Sequence, residues 1–168
     1  MGLLNEIAEK LLKNFLSLKE DDCDKFNGCY FIVKQMPKYP QHINCRCRLE
    51  KIAKPIPYIT AQATCDIRKF TEYVFDEEKS KGKKQLFESW GYTIKDSDYL
   101  QQRYISQAIQ KYCDGEYQYA GVNNYAAKIS IEITLINDDG KEQKVKTIWK
   151  LKEKGEIELV TPYSGHNY

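Results

Sequence analysis

The sequence predicts an α+β protein: three helices packed on a four-stranded antiparallel meander, preceded by a small Cys/His segment and an N-terminal amphipathic helix. Two observations carry this reading. Apolar residues recur at helical spacing as far as Cys113, and from Tyr117 onward the period falls to two. A third sets the boundary. Residues 19–57 have little periodicity and hold four of the six cysteines and four of the five prolines. The chain therefore divides into 1–57, an N-terminal helix with a metal-binding segment, and 58–168, the α+β domain.

In residues 3–18, Leu4, Ile7, Ala8, Leu11, Leu12 and Phe15 follow the 3-4 spacing of one helix face, while Glu6, Glu9, Lys10 and Lys13 take the other. Residues 19–57 cannot bury much apolar surface and need a staple or a partner. Lys54-Pro-Ile-Pro57 reads as an extended link, because proline fixes its own φ and restricts its predecessor.

The three domain helices follow. The first, about 66–75, buries Ile67, Phe70, Val74 and Phe75. The second, about 83–90, carries Leu86, Phe87 and Trp90, and Gly91 stops it. The third runs from a cap at Asp96 or Ser97 to Cys113, with Leu100, Ile105, Ala108, Ile109 and Tyr112 inward, and ends at Gly115.

The strands alternate. Ile129, Ile131, Ile133 and Leu135 share one face, as do Val145, Thr147, Trp149 and Leu151, then Ile157, Leu159 and Thr161; an earlier strand over about 117–122 turns at Asn123-Asn124. A two-residue turn at Asp139-Gly140 would set Ile133 against Lys146 and mix the faces. A three-residue loop 138–140 with Gly140 left-handed sets Ile133 against Val145 and Ile131 against Thr147. The loop 153–155 likewise sets Leu151 against Ile157 and Trp149 against Leu159. On the other face Lys146 then meets Glu132, Lys150 meets Glu158 and Lys152 meets Glu156, a self-neutralised surface rather than a basic strip.

Composition narrows the function classes. Lys+Arg is 26 against Asp+Glu 24, which offers no global attraction to nucleic acid or an anionic membrane. No apolar run approaches the roughly 20 residues of a membrane span. The start lacks the basic region of a signal peptide, and Glu6 stands where a myristoylation signal needs Ser or Thr. A cytoplasmic chain is expected, and its cysteines are then thiols or metal ligands rather than disulfides.

The strongest local chemistry is Cys23, Cys29 and His42-Ile-Asn-Cys45-Arg-Cys47. Zinc takes four such ligands tetrahedrally. Cys45 and Cys47 alternate about Arg46 and aim the same way on an extended chain. His42 comes round on a turn, and Cys23 is the fourth ligand, with Cys29 as its competitor. A closed Cys23, His42, Cys45, Cys47 site is structural, with no open position for catalysis.

That segment, Asp22-Cys23, Gly28, Pro37, then Pro40-Gln-His42-Ile-Asn44-Cys45-Arg46-Cys47-Arg-Leu49, resembles the C-terminal signature of phage Mu F-like head-morphogenesis (minor head) proteins. The C-terminal part resembles a second, uncharacterised family found at the ends of phage head proteins and polymorphic-toxin-like chains. The matching stretches are Lys69-Phe-Thr-Glu-Tyr73-Val-Phe75, Gly82-Lys-Lys84-Gln-Leu-Phe87, Gly91-Tyr92, Thr147-Ile-Trp149 and Leu159-Val-Thr161-Pro-Tyr163. The two resemblances imply a phage or prophage accessory or effector protein, virion-associated or in the cytoplasm of the bacterial host. They imply a protein partner, a head component or a host protein. The domain itself would be a toxin-like nuclease or a non-catalytic binding module.

A site in the domain would use Lys84, Thr147, Thr161 and Tyr163. The register sets Thr147 against Thr161 on the apolar face, and a buried hydroxyl needs a partner. They either bond each other or line a cleft with Tyr163 and Lys84. Lys84 near a helix start opposes the dipole, which a phosphate or acidic ligand would explain. Cys65, just before a helix, is expected to be a small buried apolar residue. No Gly-rich phosphate loop, nucleophile elbow or zincin motif is present.

Overall fold

The computed structural model describes residues 23–38, 48–50, 61–137 and 139–165. The expected helix over 3–18, the residues His42, Cys45 and Cys47, and the Lys54–Pro57 link lie outside them.

The hairpin sheet forms as its alternation dictates. Strands β1 (Gln62–Thr64), β2 (Gln118–Val122), β3 (Ala127–Ile136), β4 (Glu142–Leu151) and β5 (Glu156–Thr161) make one sheet in the order β1-β5-β4-β3-β2. β2 to β5 are the expected antiparallel meander. β1 corrects the expectation of four antiparallel strands: it is a fifth, paired parallel to β5, with Ala63 opposite Ile157. Three residues are too few for a period of two to register.

Both predicted registers hold. Ile131 pairs with Thr147 and Ile133 with Val145, and Gly140 is left-handed at φ 77°. Leu151 pairs with Ile157 and Trp149 with Leu159. The second loop departs in detail, because Lys154 (φ 58°) as well as Gly155 (φ 83°) is left-handed. The Gly28 carbonyl accepts the Lys154 N–H at 3.0 Å and holds this less common lysine conformation in place. Past Trp149 the ladder slips. Thr161 pairs with Ile148, so Val160 is an extra residue on β5 and Thr161 leaves the Thr147 row.

The helices cover the apolar face. Residue 70 begins α1 (Phe70–Val74), which is a π-helical turn and not the regular helix expected over 66–75. Its Phe75 N–H reaches back five residues to the Phe70 carbonyl at 2.9 Å, which brings Phe70, Val74 and Phe75 all inward. The second helix, α2 (Lys83–Ser89), ends at Trp90 with Gly91 at φ 89°. The longest, α3 (Ser97–Asp114), is entered through a 3-10 turn at Ile94–Asp96, where the Asp96 carboxylate accepts the Thr93 N–H at 2.7 Å and its hydroxyl at 2.9 Å. Gly115 closes α3 at φ 76°.

Ile129, Ile131, Ile133, Val145, Trp149 and Ile157 are fully buried beneath Phe70, Phe87, Leu100, Tyr104, Ala108 and Tyr112. Burying this contiguous apolar face is the main driving force of the fold. On the opposite face two of the expected charge pairs form, Lys150–Glu158 at 2.9 Å and Lys152–Glu156 at 2.6 Å; in the third the register sets Glu132 opposite Lys146 as expected, but the ion pair at 3.5 Å is with Lys144, two residues along β4.

Candidate functional site

The predicted domain residues engage different partners. Lys84 lies in the first turn of α2, and its Nζ binds Glu77 Oε1 at 2.8 Å. That hydrogen bond raises the lysine and lowers the carboxylate from their ordinary values. Its neighbour Lys83 sits 4.7 Å above the Tyr73 ring and donates to the Ser80 carbonyl. The charge at this helix start is thus balanced by the loop before it.

Thr147 is fully buried. Its hydroxyl donates to the Ile131 carbonyl at 2.7 Å and accepts the Trp149 indole N–H at 2.7 Å, in place of the expected bond to Thr161. Tyr163 packs against Trp90 with ring centroids 6.3 Å apart. Between them in sequence, the Pro162 carbonyl accepts the Tyr104 hydroxyl, and beyond them the Ser164 N–H returns to the Lys146 carbonyl. Thr161 and Tyr163 therefore lie where β5 leaves and rejoins β4.

Of the predicted metal ligands, Cys23 is described. It is buried and lines a cavity of about 390 Å³ with Phe26, Phe31, Pro37, Arg48 and Leu49. Its competitor Cys29 instead packs against the domain core, with Sγ donating to the Lys25 carbonyl at 3.6 Å. Burial, then the Glu153 charge, push the Cys29 thiol up to about 11. Among the described residues no three His, Cys, Asp or Glu side chains gather around a common point. Cys65 is buried as expected, and desolvation followed by Asp66 pushes its thiol up to about 12.

Sequence reasoning missed how residues 23–38 meet the domain. The Tyr112 hydroxyl donates to the Tyr30 carbonyl at 2.9 Å, and the Ile32 N–H donates to the Tyr117 hydroxyl at 2.8 Å. Phe26, Phe31 and Tyr119 pack as a triad with centroids 5.9–6.3 Å apart. Two glycines permit the close approach. A Cβ on Gly115 would stand 2.4 Å from Ile32 Cδ1, and one on Gly28 would stand 3.0 Å from Glu153 Cγ. The sequence signals were the excess of tyrosine, thirteen against six phenylalanines, and Gly28 in a segment without period.

Among the described residues no helix is long and apolar enough to cross a membrane. No curated protein and no solved structure matches the chain. Residues 57–166, spanning β1 to β5 and the three helices over them, match the domain of unknown function DUF6883, and the chain belongs to that family.

Proposed function

We propose that this protein is a head-associated accessory protein of a phage or prophage, in which a structural zinc clamps the lead-in segment and the α+β domain binds a protein partner, a head component or a host protein. The supporting observation is the cavity beside Cys23. Pro37 and Arg48, which flank segment 39–47 on either side, line it together with the thiol. Cys23, His42, Cys45 and Cys47 would hold the ion, whose closed tetrahedral shell contributes folding energy rather than catalysis. Cys29, which packs against the domain core with its Sγ on the Lys25 carbonyl, is the poorer fourth ligand.

Within the domain, binding is favoured over a toxin-like nuclease acting through Lys84, Thr147, Thr161 and Tyr163. A nuclease acting through these residues needs them open to one phosphate, and Thr147 is fully buried. Here Lys84 pairs with Glu77, and the Thr147 hydroxyl is committed to Trp149 and Ile131. The location that follows is the virion or the cytoplasm of the bacterial host.

Elemental analysis of protein prepared without chelator tests the zinc reading. It should give about one zinc per chain, lost in Cys23→Ser and Cys45→Ser but kept in Cys29→Ser. Metal-free wild-type protein, or loss in Cys29→Ser alone, refutes that ligand set. Co-sedimentation with phage particles is expected for the binding reading, with RNA and DNA left intact. Cleavage of either nucleic acid that is abolished by Lys84→Ala or Thr161→Ala would establish the nuclease instead.

A further inference from the structure

Asn27 (φ −59°, ψ 127°) and Gly28 (φ 68°) are the central residues of a type II turn, closed by the Cys29 N–H on the Phe26 carbonyl at 3.0 Å. Both are exposed. Among the described residues, the peptide unit between them makes no hydrogen bond through its Asn27 carbonyl or its Gly28 N–H, and the Asn27 side-chain amide makes none either. A nitrogen with no side chain to hinder it thus follows directly on an unbonded carboxamide. The other described asparagines differ. The Asn123 Oδ1 accepts the Tyr125 and Ala126 N–H groups at 3.0 Å, the Asn137 Oδ1 accepts the Lys141 N–H at 2.7 Å, and the bulk of Tyr125 follows Asn124.

We propose that Asn27 is a self-modification site, converted to isoaspartate or aspartate, and that the conversion loosens residues 23–38 from the domain. Rotation about ψ of Asn27 brings the Gly28 nitrogen to the side-chain carbonyl carbon, and the turning peptide unit has no hydrogen bond to lose. The Gly28 nitrogen bonds to Asn27 Cγ and gives up its proton; the Cγ–Nδ2 bond breaks, and ammonia leaves with that proton. The cyclic imide then takes up one water. Opening at the main-chain carbonyl carbon routes the backbone through Cβ as isoaspartate, and opening at Cγ gives aspartate. Water is the sole co-reactant, and nothing is oxidised or reduced. Isoaspartate adds an atom to the main chain just before an anchored stretch. The Gly28 carbonyl accepts the Lys154 N–H at 3.0 Å, and the Tyr30 carbonyl and Ile32 N–H are held by the Tyr112 and Tyr117 hydroxyls. The Gly28–Lys154 bond lies nearest the insertion and is the first it breaks. The inference does not depend on zinc or on the phage reading.

The test incubates the full wild-type chain in warm, mildly alkaline buffer, native and in guanidinium chloride, and follows each asparagine by peptide mapping with isoaspartate detection. The expected result is a mass gain of one unit at Asn27, several-fold faster than at Asn123, Asn124 or Asn137. The native rate should lie within a few-fold of the unfolded rate, since no bonded structure has to open first. Amide exchange at Lys154 should be faster in the converted fraction than in fresh protein, and unchanged in equally aged Asn27→Gln. Retention of the Asn27 amide in the native chain while the unfolded chain loses it overturns the site. Conversion that leaves Lys154 exchange unchanged overturns the loosening.

Discussion

Gln107 of α3 pairs with Thr134 of β3 as a neighbouring strand would. Its side-chain amide donates to the Thr134 carbonyl at 2.8 Å and accepts the Thr134 N–H at 2.9 Å. One turn on, Lys111 Nζ donates to the Glu132 carbonyl at 2.8 Å. β2 pairs with β3 only from Ala127 to Ser130, so this edge of β3 would otherwise stay open beyond that point. The helix thus covers the sheet and also closes its edge.

Gln107→Ala removes both bonds and leaves two half-buried backbone groups without a protein partner. The expected loss is about 1–3 kcal/mol in urea unfolding, with a rise in aggregation as the strand edge opens. Gln110→Ala, on the exposed side of the same helix, should stay within about 0.5 kcal/mol. An unchanged midpoint for Gln107→Ala would mean that water serves this edge as well as the amide does.

The hairpin registers were legible because each strand has one buried face and Gly140 demands a left-handed position, so a slip of one residue would expose a whole row. The features that were not legible depend on geometry that leaves no period. The extra residue Val160 moves Thr161 opposite Ile148 without altering the apolar alternation around it. The π-helical turn at Phe70–Val74 was hidden because both turn types bury Phe70 and Val74. Tyr104 is not part of the stripe of Leu100, Ile105, Ala108, Ile109 and Tyr112 that the spacing predicts, yet its ring buries completely, because the Pro162 carbonyl satisfies its hydroxyl. For the candidate sites, pattern located the thiols, but only the fold shows Cys29 turned to the core and Thr147 engaged with Trp149.

Thr147→Val tests that engagement. The substitution keeps the volume but leaves the Trp149 indole N–H buried without its acceptor, so about 1–3 kcal/mol should be lost, with a change in tryptophan fluorescence. Thr147→Ser keeps the hydroxyl and should lose less. Thr161→Val, at a half-buried position on the far side of the bulge, should stay within about 0.5 kcal/mol. Equal losses at the two threonines would contradict the slipped register.

The buried thiols set the behaviour at high pH. Cys65 is held up to about 12 and Cys29 up to about 11, each first by burial and then by a nearby carboxylate, Asp66 or Glu153. An ordinary thiol ionises near 9 in the unfolded chain, so the folded state keeps protons that the unfolded state releases. The stabilisation is therefore complete below about pH 9 and fades as pH climbs toward 11 and 12. Unfolding midpoints should accordingly fall steeply between pH 9 and 11 in wild type. The fall should be shallower in Cys65→Ala, which removes the more strongly raised of these two thiols, even if that variant starts from a lower midpoint. At pH 8 both thiols should react with a disulfide reagent far more slowly than in denatured protein, because the thiolate is the reacting form. Fast labelling of Cys65 in the native chain would show that its surroundings are open to water, against the 6% exposure it has beside β1.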